Sequence, residues 1–381
     1  MAMIPLRRRR SLVGFTLIEL MISVALSTLV GILIYTVFIE QSKAYRVQAD
    51  MSAMQQNLRV AMELITRDVA TAGLGTGHDG GSWGADGQDG SSNKPIYGLR
   101  IRDDFPVGPG HDALEILMLD PDRSTWAYTD ASVANTCGTS TIQFSTQDAL
   151  KAENYGASLP PFDRIMCYTT SGQLGRAQSF IWNVQGVGDG STGIVPVAVN
   201  SQTDYSNNCL NSLPAHMICG PPTWIAYYID ENSGDGRGIG SPALPVLYLV
   251  PSVFAALDAG GYPADTDIPV ALGIEDLQLV SCEAGLGIDC ESSTSWGPAY
   301  DLDATTSSNI WLNMSAVRVL LTARSLRPDV DRTSVSSPID IEPTDTFTPA
   351  SGLDSYHRRV ARTQVSVRNA IGVWKQSNQS F

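Results

Sequence analysis

The sequence predicts an α+β protein: one long N-terminal helix followed by a β-rich head. Three observations predict it. Phe15 to Ile39 is almost wholly apolar over 25 residues. Beyond it, apolar residues recur at spacings of three and four as far as Val69, one face of a 3.6-period helix. After Gly73 the chain becomes a series of short apolar or alternating runs between Gly- and Pro-containing loops. Alternation of period two marks half-buried antiparallel strands.

Residues 1–14 form the first element, a basic leader. Arg7, Arg8, Arg9 and Arg10 stand together there in a chain of 381 residues and net charge −14. Without them 21 basic residues face 39 acidic ones, a net of −18. So acidic a body repels phosphate backbones, which excludes nucleic acid as a direct partner. Hydrophobic residues make up 43% and charged residues 17%, so most of the chain can bury a core.

Residues 15–39 form the second element. About 20 helical residues cross a bilayer, so this segment can span one. The arginines before it keep that end cytoplasmic and place the rest outside. A cleaved secretory signal would have a shorter apolar core and small residues at its far end. Ile39-Glu40-Gln41 offers no such site. Glu19 is the odd residue, because a charge at bilayer depth costs about 2.5–3.5 kcal/mol on insertion scales. It therefore calls for a partner.

Residues 40–73 continue the helix in amphipathic form. Val47, Met51, Met54, Leu58, Met62, Ile65 and Val69 make the stripe, while Gln48, Asp50, Gln55, Arg59, Glu63 and Asp68 fill the other positions. No proline interrupts Phe15 to Ala72, and Gly73 is the expected stop. Such a stripe predicts packing on a head, not a ligand site.

Residues 74–381 form the head, with large loop insertions between Gly75 and Tyr97 and between Gln185 and Pro222. Strands are expected at Ala113–Leu119, Arg164–Thr169, Ser179–Val184, Thr223–Ile229, Pro245–Val250 and Ile274–Val280. Ala316–Arg324 and Val360–Asn369 alternate most clearly. Val317, Val319, Leu321 and Ala323 share one face of the first. Ala361, Thr363, Val365 and Val367 oppose Arg362, Gln364, Ser366 and Arg368 in the second.

No catalytic, cofactor or metal motif emerges. Gly75, Gly77 and Gly80 match G-x-G-x-x-G, but a helix precedes them and a polar loop follows, the reverse of a dinucleotide site. Asp79, Asp86 and Asp89 miss the EF-hand spacing. His78, His111, His216 and His357 are isolated, and neither H-E-x-x-H nor G-x-S-x-G occurs. The reading is of a protein that is not an enzyme. Cys137, Cys167, Cys209, Cys219, Cys282 and Cys290 make an even count. In an exported chain that reads as up to three disulfides. Pairing sequence neighbours gives Cys209–Cys219 and Cys282–Cys290, leaving Cys137–Cys167, one choice among the fifteen possible.

Gly14-Phe15-Thr16-Leu17-Ile18-Glu19-Leu20 resembles the type III signal of type IV prepilins. The resemblance implies a pilin-like fold whose helix packs on an antiparallel sheet. It implies that a prepilin peptidase cuts between Gly14 and Phe15, N-methylates Phe15, and leaves Glu19 to set register between subunits. Glu19 would then pair with the Phe15 amine of a neighbour. Gly273-Ile274-Glu275-Asp276-Leu277-Gln278-Leu279, Ala316-Val317-Arg318-Val319-Leu320-Leu321, Tyr356-His357-Arg358-Arg359-Val360, Tyr227-Tyr228-Ile229-Asp230 and Val367-Arg368-Asn369 are similar to segments of the minor pilin PilW family. That family implies a single-pass inner-membrane protein with a periplasmic head, later assembled into a surface filament. Its implied partners are other minor and major pilins and the inner-membrane assembly platform. The pseudopilin J of type II secretion has a similar plan and stays open as an alternative, as does an adhesin head on a pilin stalk. The chain departs from many major pilins in lacking a proline in the apolar helix; Gly31 is its only comparable weak point.

Overall fold

The computed structural model describes residues 15–75, 81–83, 98–102, 112–130, 140–159, 162–169, 178–198, 217–230, 244–253, 267–283, 296–297, 314–327, 339–342, 345–347 and 356–367. The arginine cluster, Gly14, Cys137, Cys209, Cys290 and three of the four histidines lie outside these residues, as does most of the two expected insertions. The chain divides into two compact units, Met1–Ser52 and Ala53–Phe381.

Helix α1 is one unbroken element, Leu17–Thr71. In the first unit its apolar side chains are exposed from Phe15 to Phe38. The hydroxyls of Ser23 and Ser27 return hydrogen bonds to the carbonyls of Glu19 and Ser23, 2.7 Å each, so they present no unmet polarity. Gly31 stays helical, and a Cβ there would meet open space.

In the second unit α1 buries Met54, Leu58, Ala61, Ile65, Asp68 and Val69. The expected stripe holds from Met54 onward, with Met62 half-buried beside it. Asp68 corrects the reading: expected on the polar side, it is buried. Gly73 ends the helix at φ 75°, and its N–H donates to the Leu117 carbonyl at 3.1 Å. Only glycine takes that backbone without strain.

The strands, in chain order, are β1 (Gly81–Trp83), β2 (Leu99–Arg102), β3 (Ala113–Leu119), β4 (Ala127–Tyr128), β5 (Thr141–Gln143), β6 (Arg164–Thr169), β7 (Gln178–Asn183), β8 (Ile194–Pro196) and β9 (Ile218–Gly220). There follow β10 (Pro222–Asp230), β11 (Val246–Val250), β12 (Ile268–Leu272), β13 (Ile274–Glu283), β14 (Trp296–Gly297), β15 (Met314–Arg324), β16 (Ile339–Glu342), β17 (Asp345–Phe347) and β18 (Arg358–Ser366). Three main sheets result, in the orders β12-β11-β10-β3-β2, β14-β13-β15-β18 and β1-β7-β6-β9-β4. Every pairing is antiparallel except β1 with β7, which is parallel. The fold is therefore α+β, a long N-terminal helix with antiparallel sheets.

The middle sheet is covered on both faces. Leu114, Ile116 and Met118 of β3 and Ile225, Tyr227 and Ile229 of β10 join the core that contains α1. Ala113, Leu117 and Leu119, with Trp224, Ala226 and Tyr228, join a second core with Met166 and Ile181 of β6 and β7. β3 and β10 are buried on both faces because a second layer closes the far one, and half-burial, the expectation from the alternation of β15 and β18, fails for β15, where Arg318, Leu320 and Thr322 are buried as well. Strands buried on both faces read as continuous apolar runs. Val317, Val319, Leu321 and Ala323 of β15 all join the helix-side core, as their alternation predicted.

A third core lies around β5, β6, β8 and β9, built on Phe144, Tyr155, Trp182 and Val195. It holds the disulfide Cys167–Cys219, between residues directly opposite in β6 and β9 with Cα atoms 4.0 Å apart. This replaces the expected Cys137–Cys167 and Cys209–Cys219 pairings. Register across a strand pair brought the two sulfurs together, and proximity in sequence carries no information about register. Cys282 is disulfide-bonded as well.

Candidate functional site

The residues marked out by sequence lie at the start of α1. Thr16 and Glu19 form a reciprocal cap. Glu19 Oε2 accepts from the Thr16 N–H at 3.0 Å and from its hydroxyl at 2.9 Å. The Glu19 N–H donates back to Thr16 Oγ1 at 3.4 Å. T-x-x-E at a helix start is a capping box, in which two orphan donors are satisfied at once. Sequence reasoning gave Glu19 a partner in another chain and overlooked this one, although Thr16 three residues earlier was the signal. The carboxylate also sits in the first helical turn, where the backbone dipole favours a negative charge.

Glu19 Oε1 makes no hydrogen bond among the described residues. The site thus holds one oxygen for its own helix and leaves one outward. Phe15 is 84% exposed beside it. Along the same segment a window of mean hydropathy 2.4 is wholly unburied within the chain, making α1 long and apolar enough to cross a membrane.

A second polar group lies inside the head. The Tyr227 hydroxyl donates to Asp68 Oδ2 at 2.5 Å, and Arg67 Nε donates to Oδ1 at 2.9 Å. Burial, then the hydrogen bond to Asp68 and its charge, push the Tyr227 hydroxyl well above the usual tyrosine range. The Asp68 hydrogen bond and charge raise Arg67 in turn. Glu275 of β13 accepts from Arg358 of β18 at 2.7 and 3.0 Å and from Arg324 of β15 at 3.2 Å. It ties three adjacent strands together at one end. Both oxygens of the buried Asp68 and Glu275 carboxylates are thus hydrogen-bonded, as buried charges must be. Among the described residues no group of three or more His, Cys, Asp or Glu is placed to hold a metal ion.

No protein-family model matches the sequence. No curated protein matches it. Among solved structures, the chain is similar to a type IV-like pilin from Thermus thermophilus at 12% identity and a TM-score of 0.32, over 83% of this chain and 96% of that one.

Proposed function

We propose that this chain is a minor pilin of a type IV pilus, processed by a prepilin peptidase and assembled through its N-terminal helix, priming the filament at or near its tip. The observation that carries the reading is an apolar, unburied segment, Phe15–Phe38, with a single acid, Glu19, placed five residues after Gly14 and behind four arginines.

The proposed sequence of events follows from solvation. The leader arginines hold the chain's start on the cytoplasmic side of the inner membrane. Residues 15–39 span the bilayer, and the head lies in the periplasm. Cleavage after Gly14 exposes a cationic amine at Phe15, then N-methylated. Glu19 Oε2 continues to cap its own helix, while Oε1 receives the Phe15 amine of a neighbouring pilin. In an apolar surround such a pair is strong and either charge alone is costly. The helix leaves lipid only by exchanging it for other minor and major pilin helices at the assembly platform.

N-terminal mass spectrometry of the native protein tests this directly. The expected product begins at Phe15, carries one added methyl group and lacks 14 residues. A chain beginning at Met1, or beyond Ile39, refutes the reading.

A further inference from the structure

An open groove of about 850 Å³ is lined by the second half of α1 and by Arg359 and Ala361 of β18. Leu58 and Met62 of α1, with Ala361, supply its apolar part, and all three belong to or pack against the helix-side core. Arg59, Glu63, Arg67 and Arg359 supply its charge and are exposed. Three arginines to one glutamate run against the balance of a chain with 25 basic and 39 acidic residues. Arg67 is engaged by Asp68; Arg59 and Arg359 have no ion pair among the described residues.

The spacing along α1 says what shape fits. Gln55, Arg59, Glu63 and Arg67 all line the groove and are each four residues apart. Residues at that spacing are neighbours on one side of a helix and recur about every 6 Å along it, here over about 18 Å. A second helix laid alongside has rows with the same repeat, so its side chains meet this row in step. An extended strand repeats about every 6.6 Å on one face and falls out of step along the row.

We propose that this groove seats an acidic amphipathic helix of a partner protein, with carboxylates against Arg59 and Arg359 and an apolar stripe on Met62 and Ala361. Helix-in-groove recognition works by such anchors at three- and four-residue spacing. Charge complementarity selects the acids, because each arginine presents a planar fork of donors that matches a carboxylate. A second copy of this chain does not supply the helix. Its α1 carries the same arginines along its second half and one acid in Phe15–Phe38. Its other described helices, Arg123–Thr125 and Ala149–Asn154, have 3 and 6 residues. The inference uses side chains of the head alone and is independent of cleavage, N-methylation and membrane insertion.

The test uses the full chain in neutral detergent micelles and a fluorescent peptide of about 16 residues, long enough to hold a helix. Its leucines sit at positions i, i+4 and i+7, glutamates flank them, alanines fill the rest, and a lactam staple on the far face fixes the helix. Fluorescence anisotropy should show saturable binding above that to micelles alone. Arg59→Glu with Arg359→Glu should weaken it at least tenfold, whereas Arg327→Glu, exposed and outside the groove lining, should leave it unchanged. An unstapled peptide of the same charge with a central proline, which breaks the helix, should bind at least tenfold more weakly with no change to the protein. Binding no greater than to empty micelles would overturn the proposal. So would equal binding of a peptide with lysine for glutamate, or full binding by the doubly substituted chain. Equal binding of the proline peptide would show attraction by charge alone and overturn helix docking. Displacement by phosphatidylglycerol as effective as by unlabelled peptide would assign the groove to anionic lipid instead.

Discussion

Glu19 has two roles to separate, a local cap and a charge. Glu19→Gln keeps an oxygen to accept from Thr16 but removes the charge. Glu19→Ala removes both. If pairing with a neighbour's amine is what matters, both variants insert and are processed, and both are depleted from sheared filaments on immunoblots. Equal recovery of Glu19→Gln and the unaltered chain would leave capping as the whole role. Tyr227 supports a second residue-scale prediction. Tyr227→Phe takes a donor from the buried Asp68 carboxylate, which costs about 1–3 kcal/mol. Thermal unfolding of the detergent-solubilised chain should register it. The pH dependence has a definite sign. Tyr227 ionises at higher pH in the folded chain than in the unfolded one. Its contribution is therefore complete below pH 10, the ordinary tyrosine value, and falls as pH rises beyond it. Tyr227→Phe should flatten that alkaline decline. An identical decline would place its origin in other buried tyrosines such as Tyr155, whose hydroxyl burial also pushes up.

The helix and its stop were plain in the sequence, because a long unbroken apolar period and Gly73 act within a few residues of each other. Gly73→Ala tests the stop. A side chain at φ 75° costs about 1–2 kcal/mol in the left-handed region, read as a lower unfolding midpoint with unchanged helix content. β18 was equally plain, since its alternation sets exposed Arg362, Gln364 and Ser366 against inward Val365 and Val367; β15 was found as a strand, but its second face, with Arg318, Leu320 and Thr322, is buried as well. β3 and β10 were found as strands, but their environment was not, because an apolar run looks the same under one cover or two. Short strands such as β4, β5 and β9 carry too few residues for any period to register. The burial of Asp68 was hidden for another reason: its partner, Tyr227, lies 159 residues away. At the start of α1 the motif was legible and its internal cap was not. The T-x-x-E spacing stood in view, but an acid inside an apolar run draws attention to distant partners before local ones.

At the scale of the whole molecule the disulfide has a calculable consequence. Cys167 and Cys219 are 52 residues apart, and cross-linking a loop of that length stabilises by about 4 kcal/mol in the chain-entropy treatment. Cys167→Ala with Cys219→Ala should therefore lower the unfolding midpoint and speed proteolysis of the lobe built on Phe144, Tyr155 and Trp182. The helix-side core, which shares no residue with that lobe, should keep its protection against hydrogen exchange. Equal loss of protection in both would mean that the head unfolds as one cooperative body.

A strand dressed in oil on both sides has no greasy side to tell it which way to slide. For β3 and β10, hydrophobicity would tolerate a slip that exchanged Tyr227 for Tyr228, so something else has to act as the key in the lock. The buried polar contacts fill that role: Tyr227 to Asp68, Tyr228 to Asp267, and Glu115 of β3 to Arg102 of β2 at 2.6 Å. Each fits in one alignment only. A head stripped of these keys would keep its hydrophobic content and lose its reason to choose a single strand alignment.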